Sequence, residues 1–256
     1  MDSIIETMPK YLCHYTSVDV LLELFTNIND DNFYFHASSV DFMNDSTEYM
    51  ISKEHCCDII NEMQMEINLG IPYALCFSNS EDNIPMWKMY ADSGKGICLM
   101  FDFDELNQYF ERLKQSTKNV FNCVKFSYCR YEEKEIQNDN EKPLFAYNAN
   151  YNNEQLKELM ITDAFIKPKS FQHENEWRLM VWQDWRPSDS RKMLFKMKKS
   201  ELCPYVRIPI PIKSLRKIIL CPSASQSMEN SVKYLSANYA ERYYLAVEKS
   251  EITLKV

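Results

Sequence analysis

The stretch Phe171-Gln172-His173-Glu174-Asn175-Glu176-Trp177-Arg178-Leu179-Met180-Val181-Trp182 decides how this chain is read. From Glu176 onward it is a run of β-favouring residues. Side chains alternate along a strand, so Glu174, Glu176 and Arg178 share one face, while Trp177 and Leu179 point the other way, into a core. Carboxylates side by side at a strand mouth are costly to bury without partners. The pair is therefore either solvated, with Arg178 as neutraliser, or functional.

Working outward, residues 154–166 read as a helix leading into Lys167-Pro168-Lys169. Beyond the opening stretch, residues 192–197, 205–208 and 214–221 read as strands. Pro204, Pro209, Pro211 and Pro222 bound these pieces and mark some as edges. A helix over 227–239 and a strand over 243–248 follow. Toward the start, residues 10–16 (KYLCHYT) form a strand, and Thr16 or Ser17 caps the helix after it. Residues 32–38 (NFYFHAS) alternate as a strand does. Asp45 with Glu48 makes a capping box for a helix to about residue 68. Residues 73–78 and 96–102 read as buried strands, and Pro85 suits the first turn of a short helix between them, which Gly94 stops. Asp104 caps a helix to residue 115, and residues 119–128 form a strand. Residues 129–153 are a polar, Asn-rich surface excursion. Strands interspersed with helices, with no repeat, predict one α+β domain over residues 1–256.

Composition narrows the function. Of 256 residues, 45% are hydrophobic and 26% charged, as in ordinary globular proteins. Glycine occurs only at Gly70, Gly94 and Gly96, which excludes a Gly-rich dinucleotide fingerprint and a P-loop. A net charge of −8 gives no general pull toward nucleic acid or anionic membranes. The nine cysteines are scattered without a CxxC pair, and the opening Met1-Asp2-Ser3-Ile4 lacks a basic region. Buried free thiols in the cytoplasm are expected. No apolar run approaches the roughly 18 residues of a membrane span.

Polar groups recur at strand ends: His14, Ser78, and Glu174 with Glu176. Tyr15 and Thr16 adjoin the first, and Trp87 and Tyr90, three apart on one helical face, follow the second. Such a set suits a nucleotide-like ligand. A histidine can hydrogen-bond a ribose hydroxyl, a serine can brace the glutamate, and an aromatic ring can wall a heteroaromatic base. A carboxylate can stabilise the positive charge that develops as a glycosidic bond breaks, and a second can orient or deprotonate the acceptor. Asp41, Asn44, Asp45 and Glu48 offer oxygens to a hard cation, but capping is the commoner use of such residues, and no metal is expected.

The ordered motifs HYTS, FMND, ALCFSNSEDNIPMWKMYADSGKGICLMFD, ENEWRLMV and LRKIILCP resemble the bacterial family known as Domain of Unknown Function 2971. More distantly, the pattern is similar to the ADP-ribosyltransferase superfamily. That resemblance implies a split β-sheet or β-sandwich core with flanking helices, and NAD as co-substrate without any glycine fingerprint. It implies Glu176 as the catalytic glutamate and Glu174 as the acceptor-side one. It places His14, Tyr15, Thr16, Ser78, Trp87, Tyr90 and Arg178 around the cofactor. It also permits a role as toxin or phage-defence effector. The expected activity is transfer of ADP-ribose from NAD to a protein or nucleic-acid acceptor, with Glu176→Gln abolishing chemistry and leaving the fold. Two alternatives remain: a nucleotide- or partner-binding module without chemistry, and a metal-dependent hydrolase or nuclease using Asp41, Asp45, Glu48 and Glu176.

Overall fold

Strand-forming runs alternate with capped helices along the chain. The structure, a computed structural model, describes residues 8–43, 70–116, 120–132, 153–183, 193–198 and 200–252. The expected helix from Asp45, with Asn44 and Glu48, and most of the 129–153 excursion lie outside the described residues. The elements are β1 (Tyr11–Thr16), α1 (Val18–Thr26), β2 (Asn32–Ser39), β3 (Ile71–Ser78), α2 (Ile84–Tyr90), β4 (Ile97–Asp102), α3 (Phe103–Ser116), β5 (Cys123–Tyr128) and β6 (Arg130–Glu132). Then come α4 (Asn153–Asp163), β7 (Ile166–Pro168), β8 (Glu176–Gln183), β9 (Leu194–Lys198), β10 (Glu201–Pro211), β11 (Leu215–Leu220), α5 (Gln226–Tyr243) and β12 (Ala246–Lys249).

The fold is α+β, built on a mixed ten-stranded sheet among the described residues. Its order is β12-β11-β4-β1-β3-β2-β10-β9, with β8 added to β3 and β5 to β8. Only β11 and β12 run parallel within it. β6 and β7 form a separate parallel ribbon that pairs Tyr131 with Lys167.

The sheet splits along β3. β1 meets β3 only at Cys13↔Ser78, and β2 meets it only at Ser38↔Ala74 and Ser39↔Tyr73. Between those points Leu75, Cys76 and Phe77 face a gap, while the other edge of β3 is laddered to β8 throughout. A strand edge without a ladder leaves backbone carbonyls to satisfy. Here the His14 ring supplies one partner, its Nδ1 lying 2.9 Å from the Cys76 carbonyl oxygen. The split thus opens a cleft and places a histidine at its edge.

The core lies under both faces of β8. Trp177, Leu179 and Val181 join the main cluster with Leu12, Phe77, Phe101 and Phe110. Met180 and Trp182 pack in a smaller cluster with Val40, Ala164 and Phe165. Gly96 admits β4 beside β1, since a Cβ there would sit 2.1 Å from the Thr16 carbonyl oxygen. The described cysteines are free thiols.

Several local expectations need correcting. Asp102, not Asp104, caps α3, its Oδ1 accepting from the Glu105 N–H at 3.1 Å. Ser17 caps α1. Residues 164–166 leave the helix, because β7 begins at Ile166. Residue 243 closes α5, and the last strand begins only at Ala246. Pro204 and Pro209 lie inside β10 rather than bounding it. β9 covers only its Glu201–Tyr205 half, so Pro209 and Pro211 fall where the second edge needs no donor from them.

Candidate active site

The opening stretch does not begin as a strand. Lys169–Glu174 form a 3-10 helix, and Asn175 follows in the left-handed region with φ 42°. Asparagine tolerates that conformation better than most residues. Glu174 and Glu176 therefore converge by a turn and not by strand alternation. The turn is locked from β3. The Ser78 hydroxyl donates to the Glu174 carbonyl at 2.6 Å, and the Asn79 N–H donates to the Asn175 carbonyl at 2.8 Å. The Asn175 amide donates to Ser80 Oγ at 2.9 Å.

Both carboxylates are 3% exposed, and a charge so buried needs counter-charge. Arg178 grips Glu176 with two donors, Nε to Oε1 at 2.7 Å and Nη2 to Oε2 at 3.0 Å. Its Nη1 donates to the Ala164 carbonyl at 2.8 Å. Lys167 Nζ donates to Glu176 Oε2 at 2.7 Å and to Glu174 Oε2 at 2.5 Å. The Tyr90 hydroxyl donates to Glu174 Oε1 at 2.5 Å. The Glu176 N–H donates to the Tyr131 hydroxyl at 2.7 Å.

Burial by itself pushes the Glu176 carboxyl up. The Arg178 and Lys167 charges outweigh that and bring it from the ordinary 4.5 down to about 2. Glu176 is thus an anion at any physiological pH. Burial, then the Glu174 charge, pushes the Tyr90 phenol up, so it remains a donor. Burial, then the Glu176 charge, pushes the Cys76 thiol well up, which excludes it as a thiolate nucleophile. Burial holds the His14 imidazole below 6.5, against the Cys76 carbonyl that favours its protonation. His14 is therefore neutral. A carbonyl only accepts, so Nδ1 carries the proton and Nε2 keeps its lone pair.

Glu174, Glu176, Lys167, Tyr90, Cys76 and His14 border a cleft of about 780 Å³. Its wall includes His14, Tyr15, Thr16, Ser78, Tyr90, Lys167, Glu174 and Glu176, so the split sheet and the turn before β8 bring most of the expected residues together. Two stand apart. Trp87 is fully buried, with its ring edge-on to Tyr15 at 5.2 Å and its indole N–H donating to Asp82, so it is a core residue. Arg178 is 1% exposed and does not border the cleft; it serves Glu176. Tyr15 and Ser78 border the cleft with their hydroxyls engaged, Tyr15 donating to the Ser80 carbonyl at 2.8 Å. Glu176→Gln, expected to leave the fold, removes an anion from between two buried cations, a cost in stability that the residues alone do not reveal.

Sequence reasoning passed over Lys167, Tyr131 and Phe171. Lys167 Nζ lies 5.1 Å from the centre of the Phe171 ring. A lysine before a proline carries no local signal of burial. Its placement comes from the β6–β7 ribbon, a long-range pairing. Among the described residues, no group of three or more His, Cys, Asp or Glu side chains is placed to hold a metal ion. Asp41 lies exposed, Asn44, Asp45 and Glu48 fall outside the described residues, and Glu176 is held by Lys167 and Arg178.

Residues 86–179 match the family described as protein of unknown function (DUF2971). The matched span contains the MWKMYADSGKGICLMFD and ENEWRL motifs, and leaves HYTS, FMND and LRKIILCP outside it. No curated protein sequence matches the chain. Among solved structures it is similar to Thermus sp. 2.9 DarT in complex with ADP-ribosylated ssDNA, at 9% identity over 94% of each chain and a TM-score of 0.36. Among the described residues, no helix is long and apolar enough to cross a membrane.

Proposed function

We propose that the chain is one ADP-ribosyltransferase-like domain that cleaves the nicotinamide–ribose bond of NAD and passes ADP-ribose to a macromolecular acceptor. One observation carries the reading. Glu176, kept ionised by Arg178 and Lys167, borders a cleft of about 780 Å³ together with a neutral His14 and the Tyr90 ring. NAD supplies an electrophilic ribose carbon and a neutral leaving group, and the bonding pair departs with nicotinamide. Glu176 opposes the positive charge that develops on the ribose. His14 accepts from a ribose hydroxyl through Nε2. Tyr90 walls the base and holds Glu174 in place. Glu174 takes the proton that the acceptor's nucleophile gives up as its bond to the ribose carbon forms. A protein or nucleic-acid acceptor, a cytoplasmic setting and a role as toxin or phage-defence effector belong to the same reading.

A second reading, a module that binds a nucleotide without chemistry, is favoured by the saturation of Glu176. Arg178 and Lys167 already occupy both of its carboxylate oxygens, so a ribose hydroxyl has to displace one of them. Nicotinamide release and label transfer from NAD, measured beside calorimetry, separate the two. The transferase reading expects turnover by the wild type and none by Glu176→Gln that is verified as folded. Binding without turnover supports the module. Neither binding nor turnover overturns both.

A further inference from the structure

We infer that Lys167 is the positioning residue of this site: its ammonium, clamped between Glu174 and Glu176, is what lets the two neighbouring carboxylates remain anions together at the cleft. The inference deepens the transferase reading and rests on it for the catalytic consequence alone. Lys167 is 3% exposed, and its Nζ reaches both carboxylates at hydrogen-bond distance. The ring of Phe171 lies against the same ammonium. The β6–β7 ribbon that carries Lys167 pairs it with Tyr131, whose hydroxyl also receives the Glu176 N–H. One ribbon therefore sets the counter-charge and the backbone of the glutamate it serves.

The charge balance makes the role specific. Among the described residues, Glu174 and Glu176 are opposed by Lys167 and Arg178, and the other titratable groups facing them are Tyr90 from α2, Cys76 from β3 and Tyr131 from β6. Tyr90, Cys76 and Tyr131 are all held in their neutral forms by burial and neighbouring charge. Arg178 already donates to Glu176 and the Ala164 carbonyl. Removing Lys167 takes one positive charge from a buried setting that holds two carboxylates. Two adjacent carboxylates then share a proton, as like charges in a common site do.

The test uses Lys167→Met, Lys167→Arg and the double variant Lys167→Met/Glu174→Gln on the full chain. Thermal melting is followed from pH 5 to 8, and nicotinamide release from NAD over the same range. In Lys167→Met the folded state takes up a proton that the unfolded chain does not, so its melting temperature falls as pH rises through this window. The wild type, whose Glu176 titrates far below it, lacks that slope. Lys167→Arg restores the wild-type profile. The double variant removes one charge of each sign, regains the balance and loses the slope; it also stands in should Lys167→Met fail to fold. In Lys167→Met nicotinamide release gains an acid limb, falling ~10-fold per pH unit below the new midpoint.

A reversed melting slope with an inert wild type sinks the transferase reading and keeps the charge-sharing role of Lys167. A Lys167→Met melting profile parallel to the wild type overturns the inference whatever the turnover. So does a double variant that shows the same slope as Lys167→Met, or that fails to fold as well.

Discussion

The buried ion cluster makes Glu176→Gln the most informative single change, because stability reports on it independently of any assay of function. The substitution preserves shape and removes the anion that Arg178 and Lys167 enclose. Holding the Glu176 carboxyl at about 2, against the ordinary 4.5, corresponds to about 3 kcal/mol of preference for the charged form in the fold. Breaking a buried ion pair on one side typically costs about 3–5 kcal/mol, so two independent routes agree. The sign is determined by the direction of the shift. A carboxyl held below its unfolded value contributes stability that is complete above about pH 4.5 and is lost as pH falls toward 2. Urea unfolding of wild type and Glu176→Gln, at intervals from pH 7 to 2.5, should show a gap of about 3 kcal/mol that closes with acid. Taking the difference between the two proteins cancels the carboxyls remote from the cluster. A gap below about 1 kcal/mol at pH 7, or one that persists unchanged to pH 2.5, refutes the charge assignment.

Trp177→Ala tests the other face of β8. Its ring is 9% exposed and meets Phe103 at 4.8 Å and Phe126 at 5.4 Å between centres, so a loss of about 3–5 kcal/mol in chemical denaturation is expected. A loss under about 1 kcal/mol would show that the ring is not part of the core. His14 should titrate below 6.5 when its ring protons are followed by NMR, because burial disfavours the imidazolium; its contribution to stability is complete above 6.5 and declines in acid. A midpoint above 6.5 contradicts the neutral Nδ1-protonated ring.

How far residues alone reveal this fold depends on the range of the interactions. β8 is legible because Trp177, Leu179 and Val181 on one face and Met180 and Trp182 on the other make one apolar run. β2 is legible because its burial alternates residue by residue. Helical spacing placed Trp87 and Tyr90 on one face of α2, but it could not say that the former enters the core and the latter reaches Glu174. The glutamates stood out as residues too costly to bury without partners. Half of their partners did not, since Lys167 and Tyr131 are recruited by a parallel pairing across a long separation. The convergence of Glu174 and Glu176 depends on one left-handed residue, Asn175, which an assumption of regular strand geometry cannot supply.

The cluster also bears on the lifetime of the folded chain. Lys167, Glu174, Glu176 and Arg178 lie within one short stretch of chain, and Tyr90 and Tyr131 reach them across long loops. Desolvating these charges before their partners are in place is costly, which predicts that the cluster is buried late, after the apolar core has condensed. Substitutions in it should leave the refolding rate almost unchanged and accelerate unfolding, with φ-values near zero. On that expectation the charges at the cleft are a kinetic latch, setting how long the folded protein persists rather than how fast it is reached.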